Sequence, residues 1–402
     1  MFEFTRQPLK TLYIIYAVLS VVVRLPIWTI RALLPRYRPR KNWSLGRTLL
    51  VWTIDVIVAS WFRVGFPDET PKGSPDVTGY VEVEPITEEE LAAVEHIKDM
   101  AKKNGVELER AFGYWHGKKS PEGRFGAAAE AGERVMYYFH GGGYAMGTAG
   151  TQPSLVTSPY TVCIPERSPS IFQRSFGIEY RLSAALPLKP SNPYPAALLD
   201  AIAGYKYLVC DLGFEPKNII LCGDSAGGHL ALALTKYLLV ANIPELQTPG
   251  GMILCSPTSD WGRTHLDGNP KSSATAHRNS DYVNTIMTNG YTGRCLTGNL
   301  PLETLSTDPW FSPASLKLKK SDYAGWFKGF PPTYINCGGA EQGRDDKVTL
   351  RDRMVRDCGE DLISFHEYPD GTHDFMIMKF FEPERTQALD DIDRWLKKIT
   401  AA

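Results

Sequence analysis

The chain has 402 residues, of which 43% are hydrophobic and 22% charged, enough for one large α/β domain that carries additions. Its 44 basic residues nearly balance its 45 acidic ones, so the net charge of −1 predicts no attraction to nucleic acid. Its seven cysteines are an odd number, and three of them lie inside apolar runs, so a disulfide framework is not expected. The sequence contains no cysteine or histidine cluster with zinc-ligand spacing. It therefore predicts neither a metal nor another cofactor.

The N-terminus is both basic and apolar. Residues 4–54 contain nine basic residues and no acidic residue. Residues 11–23 form an apolar run that would be about 20 Å long as a helix, against roughly 30 Å of bilayer hydrocarbon. Extending the run to residue 30 includes Arg24 and Pro26, which suits a helix that enters a bilayer at an angle or lies in its interface. We therefore predict that residues 1–35 associate with a membrane, at the endoplasmic reticulum.

Two other interpretations of this segment stay open. It could form an amphipathic part of a substrate cap, or it could be a cleaved targeting peptide, although no small-residue cleavage site follows it. If residues 11–30 span the membrane, the excess of basic residues after them predicts a cytosolic catalytic domain, and the opposite orientation stays open as well. A second apolar run, residues 48–62, contains Asp55 and is more typical of a core or cap helix.

The first motif of chemical interest follows a predicted strand, residues 133–139. This strand ends at His140-Gly141-Gly142-Gly143, and a backbone without Cβ atoms can bring its N–H groups close to a ligand. Such donors can stabilise the oxyanion that forms on an attacked carbonyl. A flexible turn is the alternative, but a His-Gly-Gly-Gly string after a strand is typical of the oxyanion loop of lipases and esterases.

The second motif is Gly223-Asp224-Ser225-Ala226-Gly227. A predicted apolar strand, residues 218–222, precedes it, and a predicted helix, residues 229–240, follows it. In this context the G-x-S-x-G pattern places its serine on a strained turn at the edge of a sheet. We therefore predict Ser225 as a nucleophile, with the N–H groups of Gly141, Gly142 and Ala226 as oxyanion donors.

A serine nucleophile needs a base, and the base needs an orienting acid. His373 follows the predicted strand 362–367 near the end of the chain, where the order serine, acid, histidine requires the base. The other seven histidines fit this order less well. The acid should follow the predicted strand 332–337, where three carboxylates occur. Glu341 is favoured because it comes soonest after the strand, and Asp345 and Asp346 remain alternatives.

Together, these motifs resemble the hormone-sensitive-lipase-like esterases of the α/β-hydrolase superfamily, over about residues 130–400. The strings that carry the resemblance are His140–Gly143, Glu179–Leu182, Tyr194–Ala197, Gly223–Gly228 and His373. The resemblance implies an α/β-hydrolase fold, which is a mostly parallel sheet flanked by helices, with a helical cap over the active site. It also implies Ser225 as nucleophile and His373 as base. The chain departs from the family at Glu341, where an aspartate is usual, and at Asp374, where glycine often follows the histidine.

Within that family the chain looks most like fungal membrane-associated members, which include steryl acetyl hydrolases and hydrolases that tailor secondary metabolites. We divide it into residues 1–35, a cap region at 36–110, and a hydrolase domain at 111–402 with a cap insert at about 259–330. Four aromatic residues of the insert could pack in the core or line an apolar pocket: Trp261, Trp310, Phe311 and Trp326.

The resulting hypothesis is a serine esterase that removes a short acyl group, such as acetyl, from a hydrophobic alcohol such as a sterol or a secondary metabolite. Two alternatives stay open at this point. One is an amidase or a tailoring hydrolase of a biosynthetic pathway. The other is a non-catalytic ligand receptor on the same fold, which would have lost the histidine that His373 provides here.

Overall fold

Within residues 1–67, 78–150, 159–266 and 268–401, which the computed structural model describes, eight strands form one sheet. Their order across the sheet is β1-β2-β4-β3-β5-β6-β7-β8. Strands β1 and β2 run antiparallel to their neighbours, and all the other pairs are parallel. The strands are β1 Tyr80–Val83, β2 Ala111–Gly117, β3 Val135–Phe139, β4 Arg174–Glu179, β5 Ile219–Asp224, β6 Gly251–Cys255, β7 Thr333–Gly338 and β8 Ile363–Tyr368.

The central strands are continuous apolar runs rather than alternating ones. Every residue of β3, β5, β6 and β7 is buried. Parallel strands read in this way because helices cover both faces of their sheet. The four strands predicted at residues 133–139, 218–222, 332–337 and 362–367 correspond to β3, β5, β7 and β8, with ends within two residues of the observed ones.

Helices lie on both faces of the sheet and at its edge. They are α1 Leu9–Leu33, α2 Leu45–Val64, α3 Glu88–Ala92, α4 Glu95–Asn104, α5 Tyr160–Arg167, α6 Ala196–Lys206, α7 Ala226–Ala241, α8 Ser273–Ala276, α9 Asn284–Asn289, α10 Tyr291–Thr297, α11 Thr304–Thr307, α12 Lys320–Tyr323, α13 Arg344–Cys358 and α14 Glu384–Thr400. Helices α6, α7 and α13 share one hydrophobic cluster with the sheet, and α5 and α14 share another. Each fully buried leucine or isoleucine in these clusters contributes roughly 1.5–3 kcal/mol to folding.

The first helix is longer than the apolar run suggests, because it continues through Arg24 and Pro26 to Leu33. Its 25 residues give it a length of about 37 Å at 1.5 Å per residue. Most of its large apolar side chains are exposed, whereas α2 buries Val51, Val58 and Phe62. Both helices are long and apolar enough to cross a membrane, a test that core helices and signal sequences also pass.

The hairpin of α1 and α2 is fixed to the body of the protein at the start of α2. Arg47 forms a buried ion pair with Glu384 at 3.0 Å, at the beginning of α14. The fully buried Trp43 donates its indole N–H to the backbone oxygen of Asp370 at 2.8 Å. Loss of one partner of a buried ion pair leaves an uncompensated charge, which costs about 3–5 kcal/mol. The N-terminal region is therefore held on the hydrolase body through specific contacts.

The region predicted as the N-terminal cap, 36–110, contains more than cap structure, because β1 within it pairs with β2 and extends the sheet. Residues 68–77 of that region lie outside the described residues, as do 151–158 of the predicted hydrolase domain and residue 267 of the insert. The insert itself holds five short helices in its described part, α8 to α12. The predicted domain boundaries stay predictions.

Candidate active site

Ser225 occupies a one-residue turn between β5 and α7. Its backbone has φ 50° and ψ −113°, a conformation that residues other than glycine rarely adopt. The glycines on both sides are required sterically. A Cβ on Gly223 would lie 2.3 Å from the backbone of Gly227, and a Cβ on Gly227 would lie 2.0 Å from the backbone oxygen of Phe139. The strained turn thus presents the Ser225 hydroxyl at the carboxyl end of the sheet.

Helix α7 begins at Ala226, three residues earlier than the predicted start at residue 229. Gly227 and Gly228 suggested a longer turn, but both are helical. They are small because the helix passes close to its surroundings: a Cβ on Gly228 would lie 2.7 Å from the side chain of Pro257. The early start places the positive end of the α7 dipole directly after Ser225.

His373 lies beside Ser225. Its Nε2 is 2.9 Å from the Ser225 hydroxyl, and its Nδ1 is 3.1 Å from Oε2 of Glu341. Glu341 is fully buried, and its other oxygen, Oε1, is 3.6 Å from the ammonium of the buried Lys347. These distances form a continuous chain of hydroxyl, imidazole and carboxylate. Such a chain can take the serine proton and stabilise the imidazolium that results.

The other two candidate acids point away from His373. Asp345 accepts a hydrogen bond from the backbone N–H of Ser273 at 2.8 Å. Asp346 accepts hydrogen bonds from the backbone and the hydroxyl of Ser259, at 3.1 and 2.9 Å. Both therefore support the cap insert, and of the three carboxylates the structure brings Glu341 to the imidazole.

A buried carboxylate that we did not predict, Asp281, links the loop that carries His373 to the loop that carries Glu341. One of its oxygens accepts from the Thr372 hydroxyl, and the other accepts from the backbone N–H of Gln342, both at 2.7 Å. Thr372 and Gln342 adjoin the base and the acid. No motif in the sequence marks Asp281, because its role depends on where the insert between β6 and β7 folds back.

The glycine loop after β3 lies next to Ser225, and Gly141 to Gly143 line the cavity into which Ser225 opens. Gly142 has φ 104°, and a Cβ there would lie 2.1 Å from the backbone oxygen of Met146. His140 is fully buried and stacks on Tyr180, with ring centroids 4.1 Å apart. The Tyr180 hydroxyl donates to the backbone oxygen of His140 at 2.7 Å. His140 thus shapes the loop rather than facing Ser225.

A cavity of about 400 Å³ leads to Ser225 and His373. Much of its wall is apolar and comes from two elements distant in sequence. Helix α2 contributes Ile54, Val58 and Trp61, and helix α9 contributes Ile286 and Met287. A cavity with mainly apolar walls and a smaller number of polar groups is typical of a binding site for a hydrophobic small molecule.

The four aromatic residues singled out in the insert do not all contribute to this cavity. Trp261 lines it, and its indole is buried. Trp310 and Trp326 pack edge to face on each other, with centroids 6.1 Å apart, and Phe311 packs on Tyr194 at 4.8 Å. These three are core residues. In the described ranges of the chain, no group of three or more histidine, cysteine or acidic side chains could hold a metal ion.

Comparison with known families identifies the fold and the family of the chain. A family described as having the alpha/beta hydrolase fold matches residues 136–377, which is more than half of the chain. The chain belongs to this α/β-hydrolase family. The predicted fold class is thereby confirmed.

Relatives in this α/β-hydrolase family include an esterase of Acinetobacter venetianus, 28% identical over 66% of this chain and 75% of the relative. An acetyl-hydrolase of Streptomyces hygroscopicus is 26% identical over 66% of this chain and 76% of the relative. Among solved structures, a hormone-sensitive-lipase homologue from a metagenome library, EstE7, has a TM-score of 0.52 at 23% identity. That similarity covers 77% of this chain and 96% of EstE7, and it shows the fold alone.

This α/β-hydrolase family member is a carboxylic ester hydrolase of the esterase and lipase type, as its relatives are. The non-catalytic receptor alternative is therefore set aside. The finer resemblance to fungal membrane-associated members stays a prediction.

Proposed function

We propose that the protein hydrolyses carboxylic esters through an acyl-enzyme on Ser225. The observation that carries this proposal is the continuous contact from the Ser225 hydroxyl through His373 to Glu341. His373 takes the hydroxyl proton while Oγ attacks the ester carbonyl, and Glu341 holds the ring and stabilises its charge. The N–H groups of Gly142 and Ala226 stabilise the oxyanion, whereas the N–H of Gly141, also predicted as a donor, hydrogen-bonds the buried carboxylate of Asp224. His373 then protonates the leaving alcohol.

The second half of the reaction releases the acyl group. A water molecule gives a proton to His373 while its oxygen attacks the acyl carbon, and the bond to Ser225 Oγ then breaks. The proton returns from His373 to Ser225, which regenerates the resting enzyme.

We propose a short acyl group, of acetyl size, on a bulky hydrophobic alcohol such as a sterol or a secondary metabolite. The apolar walls from α2 and α9 support a hydrophobic alcohol, because burial of apolar surface drives such binding. The name of the Streptomyces relative, an acetyl-hydrolase, supports the short acyl group.

We further propose that α1 and α2 attach the protein to a membrane. Along α1, apolar side chains such as Leu12, Leu19 and Val23 are more than half exposed, and α2 continues from the hairpin into the cavity wall. A row of exposed apolar side chains along a helix of 25 residues marks an interaction site. Basic residues beside it favour anionic lipid headgroups. The location in the endoplasmic reticulum and the cytosolic orientation stay predictions.

The substrate proposal is tested by comparing metabolites between two sets of cells, and the membrane proposal by fractionating the same cells. Cells that express the wild-type chain are compared with cells that express Ser225→Ala, by untargeted mass spectrometry of extracted lipids and metabolites. Wild-type cells should contain less of a short-acyl ester and more of its hydrophobic alcohol. The protein itself should sediment with membranes and be released by detergent rather than by salt. Accumulation of an amine or of a hydrophilic alcohol in wild-type cells would refute the proposed substrate.

The pH dependence of the reaction should be displaced to alkaline pH. Burial lowers the pKa of His373, but the carboxylates of Asp374 and Glu341 outweigh this effect and raise it to about 9. Only the neutral imidazole can accept the serine proton, so kcat/KM should rise as His373 loses its proton. The midpoint of this rise should lie well above pH 6.5, the ordinary pKa of histidine being about 6.5. Lys347 opposes this rise in the pKa of His373, and the buried carboxylates of Asp224 and Asp281 also interact with the imidazole.

The pH profile of Asp374→Asn provides the check. Burial raises the pKa of Asp374 well above its ordinary value, and the imidazolium of His373 opposes this shift. Where the pair is ionised, loss of the Asp374 charge should move the rising limb of kcat/KM to lower pH by about one unit. Asp361→Asn is the matched control, because it removes the same charge from an exposed position outside the cavity. If the two variants shift the limb equally, the limb reports overall charge and not the local field at His373.

A further inference from the structure

The side chain of Asp374 lies at the reacting nitrogen of His373. Its Oδ2 is 3.2 Å from Nε2, the same nitrogen that faces the Ser225 hydroxyl at 2.9 Å. Glu341 contacts the opposite nitrogen, so the ring has a carboxyl group on each side. A group at Nε2 lies where the leaving alcohol departs and where water later enters. Asp374 therefore lies on the side of the imidazole at which the reaction takes place.

The second oxygen of Asp374, like Glu341 Oε1, Gln342 Oε1 and Asp260 Oδ1, is a buried acceptor without a hydrogen-bond partner among the described residues. Of these four residues, Asp374 is the one that contacts His373 Nε2. Asp374 is 5% exposed and lines the cavity, yet Oδ1 has no hydrogen-bond partner in the described chain. Buried polar atoms are nearly always paired, and an exception at an active site suggests a partner that arrives during the reaction. When Asp374 is ionised, both of its oxygens can only accept hydrogen bonds, so the arriving partner is a donor.

The backbone holds this side chain in place. Asp374 has φ 47°, which is unfavourable for most side chains but tolerated by aspartate and asparagine. Its N–H donates to the Ser256 hydroxyl at 3.2 Å. The left-handed backbone and this contact together fix the point from which the Asp374 side chain extends towards His373.

We propose that Asp374 and His373 together bind the water molecule that hydrolyses the acyl-enzyme. One O–H of this water donates to Nε2 of His373, and the other donates to a carboxyl oxygen of Asp374. On attack, the first proton moves to Nε2 while the water oxygen bonds to the acyl carbon. Collapse of the tetrahedral intermediate breaks the bond to Ser225 Oγ, and the proton on Nε2 passes to Oγ. Asp374 keeps its own protonation state throughout.

This arrangement distinguishes water from an alcohol. Water has two O–H groups and can satisfy both acceptors, whereas methanol has one and must leave Asp374 unpaired when it donates to His373. A site that hydrogen-bonds a group rejects an analogue that lacks it, because the polar atoms of the site are then buried without a partner. Asp374 should therefore bias the acyl-enzyme towards hydrolysis and against transfer of the acyl group to alcohols.

The test measures the fate of the acyl-enzyme and rests on the proposed function. The full-length wild type, Asp374→Gly and Asp374→Asn are supplied with p-nitrophenyl acetate in buffer that contains a fixed concentration of methanol. Acetate and methyl acetate are quantified by NMR at a pH on the plateau of each variant. The ratio of the two products comes from a common intermediate, so it does not depend on how much of each variant is active. Glycine suits the positive φ of this position and removes the acceptor, whereas asparagine keeps a carbonyl acceptor and removes the charge.

We expect Asp374→Gly to lower the ratio of acetate to methyl acetate about tenfold, and Asp374→Asn to keep it within about threefold of wild type. A wild-type ratio in Asp374→Gly would overturn the proposal. So would an equal fall in both variants, because that result would assign the effect to charge. The proposed function is checked separately by mass spectrometry of the quenched wild-type enzyme, which should carry an acetyl group on Ser225. Its absence would refute the acyl-enzyme itself, whatever the product ratio.

Discussion

Replacement of Ser225 by alanine is expected to reduce kcat/KM for p-nitrophenyl acetate by about 10⁵- to 10⁶-fold, the largest effect of any single change in this chain. The substitution removes the hydroxyl oxygen that the proposal places to attack the ester, at 2.9 Å from His373 Nε2. It leaves the oxyanion loop and the cavity in place, so a small residual rate above that of water should remain. Labelling of the protein by a fluorophosphonate probe should disappear with the activity.

The matched control for this variant is Thr258→Ala. The Thr258 hydroxyl is 3.3 Å from the Ser225 hydroxyl and lines the same cavity, but within the described residues it makes no hydrogen bond to a histidine. This variant should keep its labelling and lose no more than about tenfold in kcat/KM. Thermal unfolding of both proteins should show that each is folded. Activity in Ser225→Ala above about one per cent of wild type would place the nucleophile elsewhere.

Replacement of Glu341 by glutamine is expected to reduce kcat by about 10³- to 10⁴-fold, by analogy with loss of the charge of an orienting acid in other serine hydrolases. The amide can present its NH₂ group to Nδ1, which favours the tautomer that cannot take the Ser225 proton. It also removes the negative charge that stabilises the imidazolium. Lys347 would keep its contact with Asp346 at 3.4 Å, so its charge would not be left without a partner.

Asp345→Asn provides the comparison, because Asp345 was the main alternative as the acid. Its carboxylate accepts from the Ser273 backbone in the insert, and this contact should survive in the amide. We expect a change in kcat of no more than about threefold, measured with the same ester at the plateau pH. A larger loss in Asp345→Asn than in Glu341→Gln would reverse the assignment of the acid.

The parts of the site that could be predicted are those that the fold order and the local backbone dictate. Parallel strands end at one edge of their sheet, so loops that follow β3, β5, β7 and β8 must meet there. Three glycines after one strand, a G-x-S-x-G turn after another and a histidine after the last therefore predict a common location. The choice of Glu341 rested on chain position alone, whereas the direction of its side chain depends on Lys347 and on the fold of the loop.

Other features follow from contacts between distant parts of the chain, which local pattern does not reveal. Strand β1 is four residues long and gains its place only by pairing with β2. The proximity of Asp374 to His373 Nε2 depends on a positive φ that the sequence alone does not specify. The departure of Asp374 from the family pattern was a usable signal, but it did not indicate which side of the imidazole the carboxyl would face.

Helix α2 lines the cavity and is also long and apolar enough to cross a membrane, which has a practical consequence for producing this enzyme in soluble form. The usual remedy for an apolar N-terminus is to shorten the chain until the apolar residues are gone. Here a truncation beyond α2 would remove Ile54, Val58 and Trp61, open one side of the cavity to solvent and delete the Arg47–Glu384 pair. Such a protein could still hydrolyse small activated esters while losing its selectivity for large ones. The chain is better shortened between α1 and α2, and assays of truncated forms should include a bulky ester.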